Sequence, residues 1–327
     1  MQVSDAVARI MKAEGVEFLF AYPVNHLIEA AAKVDIRPII VRQERIGLHM
    51  ADALSRVSSG ERIGVFCMQS GPGTENAFGG VAQAYGESVP IIVLPGGYTR
   101  QLTSIPPNFN AYLNFQHITK SCEHVSQPQN IPEALRRAFT QVRNGRPGPA
   151  LVEIPGDLYT EDVSDFDHRP VPVTRFGPAD DDVERSAEAL VSADRPVIYA
   201  GQGIHYAKAW EELKELAELL EVPVTTTLGG KSAFPENHPL SLGCGGRSYS
   251  RTVYDFVHDA DTVFGIGCSF TRTPFAFSMP QDKTIIHATL DPGDINKDIE
   301  VEHALVGDAR LTLCALITVI RGRLAGK

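Results

Sequence analysis

Residues 36–53 read IRPIIVRQERIGLHMADA, and residues 63–76 read IGVFCMQSGPGTEN. In each, a short apolar run passes through a few polar residues into a segment with helical spacing. That is the signature of a strand feeding a helix. The same alternation extends outward. A helix is expected from Ser4, placed to cap it, to Gly15, and strands at 16–22, 36–41, 63–68, 90–95 and 150–154. Helices are expected at 44–57, from Thr74, and at 132–142. Apolar runs alternating with helices imply a parallel sheet covered on both faces.

Residues 165–182 contain Pro170, Pro172, Pro178 and the acidic run Asp180, Asp181, Asp182, with no apolar period. They read as an interdomain linker. A second α/β series follows, with helices at 183–191, 207–220 and from Arg310, and strands at 197–200, 222–226, 262–266 and 284–290. The expected fold is therefore α/β, two three-layer domains with mostly parallel central sheets, at 1–164 and 181–327 around a linker at 165–180. At 327 residues, two domains is also the natural division.

With 30 basic and 40 acidic side chains the formal charge is −10, and no basic cluster offers a footing for nucleic acid or an anionic membrane. Residues 1–15 are amphipathic and charged, unlike a secretory signal, so a cytoplasmic location is expected. The five cysteines have no paired spacing and read as free thiols. His205, His238, His258 and His287 lack metal-ligand spacing, and no metal site is expected in the chain. Cys122 and His124 suggest a thiol nucleophile but show no third orienting group.

Glu44 stands where a strand hands over to a helix. Taken alone, it is an acid favoured by the helix dipole. The next strand ends in a turn where Gly71 and Gly73 flank Pro72, shaped to meet something flat or closely packed. Strand ends in parallel sheets are where ligands bind. Gly201 and Gly203, in AGQGIHYA, invite a dinucleotide interpretation, but the third glycine of that fingerprint is missing.

The succession AYPVN (21–25), RQERIGLHMADALSR (42–56), SGPGTENAFGGVAQAY (70–85), FQHITK (115–120) and GRPGPALVEIPGDL (145–158) resembles the pyrimidine-binding domain of thiamine-diphosphate-dependent enzymes of the acetolactate synthase group. RPVIYAGQGIHYA (195–207), ADTVFGIGCSF (260–270), TIIHATLDPGDINK (284–297) and LVGDA (305–309) resemble the family's central, Rossmann-like domain. The resemblance implies that Glu44 is the activating glutamate. Its carboxyl would stabilise the imino form of the aminopyrimidine, whose nitrogen then takes the thiazolium proton. A poorly solvated position is expected for it. By the same resemblance Tyr22, Pro23, Val24, Asn25, Pro72, Gly73, Asn76 and Gln116 contact the cofactor, with a helix-start hydrogen bond as the other reading for Asn76.

The implied activity is decarboxylation of a small 2-oxo acid, followed by release of an aldehyde or carboligation. Val24 and Asn25 replace the Gly-Gly of many acetolactate synthases, which leaves the 2-oxo acid open. The family's Gly-Asp-Gly motif for magnesium and diphosphate is absent, since the Gly-Asp pairs at 156–157, 293–294 and 307–308 are each followed by another residue. Magnesium ligands and the diphosphate-binding domain are therefore expected outside this chain, in a missing C-terminal segment or a partner chain, within a homo-oligomer. FAD is one occupant the family allows for the central domain, with Gly201, Thr226, Gly243 and Arg272 as neighbours; structural filling is preferred. The alternatives are a non-catalytic scaffold subunit and, ranked last, a flavin- or nucleotide-binding protein.

Overall fold

The computed structural model describes residues 1–23, 25–280 and 282–326. The chain forms two compact units, Met1–Thr174 and Arg175–Lys327. Unit 1 runs α1 (Val3–Ala13), β1 (Phe18–Ala21), α2 (Leu27–Lys33), β2 (Arg37–Ile40), α3 (Glu44–Val57), β3 (Gly64–Met68), α4 (Pro72–Gly86), β4 (Ile91–Gly97), α5 (Ala111–Phe115), β5 (Ser121–His124), α6 (Ile131–Arg143) and β6 (Ala150–Pro155). All six strands are parallel, in the order β2-β1-β3-β4-β6-β5. The direction of winding reverses at β1, whose neighbours β2 and β3 lie on opposite sides. A crevice therefore opens between the carboxyl ends of β1 and β3.

The strands are buried on both faces because their side chains alternate. Val65 and Cys67 join α1, α2 and α6 in one core, while Phe66 and Met68 join α3, α4 and α5 in the other. Helix α3 comes unusually close to β3. A Cβ at Gly64 would lie 2.1 Å from the Ala51 carbonyl oxygen, so only glycine fits. The Gly64 amide also donates to Ser55 Oγ at 2.8 Å. These two contacts set the height at which α3, and with it Glu44, sits over the sheet.

Ser4 is buried inside α1 and makes no cap; Gln2 holds the cap position. Residues 166–171 are not free chain. Val171 is buried in the unit 1 core, and Glu14 pairs with Arg143 Nη1 at 2.8 Å and His168 Nε2 at 2.7 Å while accepting from the Val171 amide. Asp180, Asp181 and Asp182 form the first turn of a helix, where the dipole favours acids.

Unit 2 runs α7 (Asp180–Ser192), β7 (Pro196–Ala200), α8 (Gly203–Ala207), α9 (Trp210–Leu220), β8 (Val224–Thr226), β9 (Ser241–Cys244), α10 (Arg251–Asp259), β10 (Thr262–Ile266), β11 (Thr284–Thr289), β12 (His303–Val306) and α11 (Ala309–Ala325). Its sheet is also all parallel, in the order β12-β11-β10-β7-β8-β9. The α/β expectation thus holds for both units. His287 on β11 is fully buried; its Nε2 lies 2.9 Å from the Cys268 carbonyl, and its Nδ1 has no hydrogen-bond partner among the described residues. Burial holds this imidazole below the usual histidine range.

Two stability outcomes follow from this packing. Gly64→Ala should lower the unfolding free energy by about 3 kcal/mol, because the added methyl meets backbone rather than a mobile side chain; urea denaturation followed by circular dichroism measures it. Because the folded value of His287 is depressed, protons bind preferentially to the unfolded chain. Its contribution is fully present above the unfolded value of about 6.5 and is lost as pH falls below it. Trp210, the single tryptophan, lies in unit 2. Its fluorescence should report a urea midpoint that drops between about pH 8 and 5, with a smaller drop in His287→Leu.

Candidate functional site

Glu44 is the first residue of α3, and it is only 4 % exposed. The unpaired amides of a helix's first turn favour a negative charge there. Asn76, in the second turn of α4, donates from Nδ2 to Glu44 Oε2 at 3.2 Å. The other oxygen faces Gly73. A Cβ at that position would stand 3.1 Å from Glu44 Oε1 and 2.6 Å from Gln69 Cγ. Gln69 and the Glu44 carboxyl thus occupy the place a side chain at position 73 would take, so only glycine fits beside them.

The turn carrying Gly73 is fixed from within and from without. Thr74 Oγ1 donates to the Gln69 carbonyl at 2.8 Å, and the Glu75 amide donates to the Gly71 carbonyl at 2.9 Å. Gly71 has φ +61° and ψ −120°, which a side-chain-bearing residue avoids. The face where its side chain would project is taken by Tyr98 Oη, 2.4 Å from an ideal Cβ.

Asn25 has both ends of its amide engaged. Nδ2 donates to the Met68 carbonyl at 2.9 Å, and Oδ1 accepts from the Leu27 amide at 2.9 Å. It ties the turn after β1 to the end of β3, across the crevice. Tyr22 is half-buried, with its amide on the Cys67 carbonyl, and Pro23 is exposed. Val24 lies outside the described residues. Pro72 is exposed in the first turn of α4, and Gln116 is exposed at the start of a 3-10 turn packed on α4. The structure thus brings Glu44, Gly73 and Asn76 together, sets Tyr22 and Asn25 on the adjoining strand edge, and leaves Gln116 one element away. Gln69 and Tyr98 went unremarked in the sequence. Their only signals are positions at the ends of β3 and β4.

The remaining candidates are drawn into packing. A Cβ at Gly201 would lie 2.2 Å from the Gly267 carbonyl oxygen, and one at Gly203 2.7 Å from Gly267 Cα. These glycines admit a neighbouring backbone strand end, which disfavours their use for a dinucleotide. Thr226 ends β8, Gly243 lies in β9, and Arg272 is an exposed loop residue whose amide donates to Asp298. Cys122 and His124 share one face of β5, and Glu153 supplies the orienting group, 2.9 Å from His124 Nδ1. Burial nevertheless pushes the Cys122 thiol up to about 12, so it stays protonated. Among the described residues, no three His, Cys, Asp or Glu side chains are arranged to hold a metal ion, and no helix is long and apolar enough to cross a membrane.

Residues 1–126 match the thiamine pyrophosphate enzyme N-terminal TPP binding domain, and residues 183–316 match the thiamine pyrophosphate enzyme central domain. The chain belongs to the thiamine pyrophosphate enzyme family. It is 34 % identical to the probable acetolactate synthase large subunit of Methanocaldococcus jannaschii, over 98 % of this chain and 56 % of that protein. It is 32 % identical to the acetolactate synthase isozyme 3 large subunit of Escherichia coli, over 97 % and 57 %. The chain therefore spans a little over half the length of these curated relatives. Among solved structures, benzoylformate decarboxylase from Polynucleobacter necessarius has the same fold, with a TM-score of 0.86 at 23 % identity over 98 % of this chain and 61 % of that one.

A carboxyl buried with one side-chain hydrogen bond is poorly compensated for lost hydration. If it is kept for a ligand, its removal should stabilise the free protein, the usual trade at functional sites. Glu44→Gln should raise the unfolding free energy by about 1 kcal/mol, measured by urea denaturation without ligand.

Proposed function

We propose that this chain supplies the pyrimidine half of a thiamine diphosphate site in an enzyme that decarboxylates a small 2-oxo acid. The product would be an aldehyde or a two-carbon unit passed to a second carbonyl, in the manner of the acetolactate synthases it resembles. The observation that carries this is Glu44: a carboxyl removed from water, held by Asn76 on one oxygen, with the other packed beside Gly73 and without a hydrogen-bond partner among the described residues. A buried carboxyl with one oxygen left to bond suits the edge of a planar aminopyrimidine.

Bound thiamine diphosphate supplies the nucleophilic carbon and the electron sink for cleaving the bond to the carboxylate. The chain's own part is proton handling and placement. Glu44 Oε1 would take the hydrogen bond from the ring, and its seclusion from water would strengthen that bond. Asn76 acts on Glu44, fixing the carboxyl plane. Asn25 acts on the backbone, holding the chain after β1 against the end of β3 so that Tyr22 and Pro23 wall the crevice. Gly73 and Pro72 form the opposite wall, and Gln116 closes it from the α4 side.

Magnesium ligands and the diphosphate site come from outside residues 1–327, in a further segment or a second chain, and a homo-oligomer would complete the crevice. Beside Glu44, α3 and α4 expose Ile46, Met50, Phe78 and Tyr85, an apolar face suited to cover by that second half. No flavin is assigned to unit 2, where Gly201 and Gly203 make room for Gly267. A cytoplasmic location is favoured by the five cysteines standing as free thiols.

Calorimetric titration with thiamine diphosphate and magnesium tests the proposal. Binding should be tight only when the segment or chain bearing the diphosphate site is present, and Glu44→Gln should weaken it at least about tenfold, as loss of a charge-assisted hydrogen bond does. Equal affinity in Glu44→Gln would remove the coenzyme role.

A further inference from the structure

Two polar side chains flank the Gly71–Gly73 turn without a hydrogen-bond partner among the described residues. Gln69 packs its Cγ against Gly73 beside Glu44 Oε1, and the residue is half-buried. Tyr98 comes from the end of β4 on the other side, with its hydroxyl seated over Gly71. Half-buried and unpaired, each is free to bond to water or to a ligand at this edge. Here both stand at the carboxyl edge of the sheet, beside the carboxyl on which the proposed function rests.

We propose that Gln69 and Tyr98 recognise the carboxylate of the 2-oxo acid. Both can donate a hydrogen bond, one from an amide N–H and one from a phenol O–H, and neither carries charge. Arg100, two residues after Tyr98, is engaged by Asp157 and Glu161. A carboxylate about to leave as carbon dioxide loses its charge in the transition state. A cation would hold the ground state most tightly and slow that loss, whereas neutral donors orient the group with less ground-state stabilisation. The Gly71 turn gives this its geometry. Since Tyr98 Oη fills the place of a side chain at Gly71, the phenol and the turn are fixed to one another, and through Gly73 to Glu44.

This inference deepens the coenzyme reading and rests on it, so the test carries an arm for each. In the assembled holoenzyme, Tyr98→Phe and Gln69→Leu are compared with wild type for three dissociation constants: thiamine diphosphate, an unreactive 2-hydroxy acid, and the amide of that acid. Each variant should weaken the 2-hydroxy acid about tenfold, the loss expected for one hydrogen bond to a charged group. KM for the 2-oxo acid should rise in step, while cofactor affinity and the thermal midpoint are unchanged and the neutral amide is barely affected. Equal weakening of acid and amide, a change confined to the cofactor, or no change would each overturn the assignment. Glu44→Gln is the separate control. If it abolishes cofactor binding while the Gln69 and Tyr98 variants are silent, only the carboxylate assignment fails; if it leaves cofactor binding intact, the coenzyme reading fails and this inference with it.

Discussion

The approach of α3 to β3 is the contact on which the site depends. Gly64 admits the Ala51 carbonyl, Ser55 anchors the Gly64 amide, and α3 is thereby held low over the sheet. A helix held there begins inside the protein, and its first residue is a glutamate. A carboxyl in that place is costly to desolvate unless something compensates it. The helix amides and Asn76 meet part of the cost, and Oε1, which has no hydrogen-bond partner among the described residues, is where a ligand would meet the rest.

Much of this was legible in the sequence, for physical reasons that differ by element. Central strands such as β3 and β4 are buried on both faces and show as unbroken apolar runs. Glu44 and the Gly-Pro-Gly turn were visible because strand-to-helix junctions carry their own punctuation. The edge strands β5, β9 and β12 escaped, being partly exposed and so lacking the run that betrays a central strand. Short α2, α5 and α10 span too few turns to display a helical period. Ser4 looked like a cap because capping chemistry is local, yet tertiary packing drew it into the helix. Gln69 and Tyr98 could not be paired from sequence at all, since only the β3–β4 register brings them to the same turn.

The second unit uses the same architecture to a different end. Its glycine-rich strand end resembles a nucleotide loop in one dimension, but in three it receives the backbone of Gly267. The same residue type admits side chains at Gly73 and backbone at Gly201: at Gly73 the neighbours are the Glu44 carboxyl and Gln69 Cγ, at Gly201 the Gly267 carbonyl. Nearby, buried His287 trades hydration for packing against Phe270, with ring centroids 4.8 Å apart. Sheet chemistry alone therefore assigns no function; the groups left unmet at its carboxyl edge do.

The central claim is that Glu44 addresses a pyrimidine ring, and a crystal structure of the assembled enzyme with thiamine diphosphate and magnesium tests it most directly. The account predicts a ring nitrogen at hydrogen-bond distance from Glu44 Oε1, with Asn76 still on Oε2 and the ring passing over Gly73. A pyrimidine bound elsewhere, or a Glu44 carboxyl turned away from it, would contradict the account.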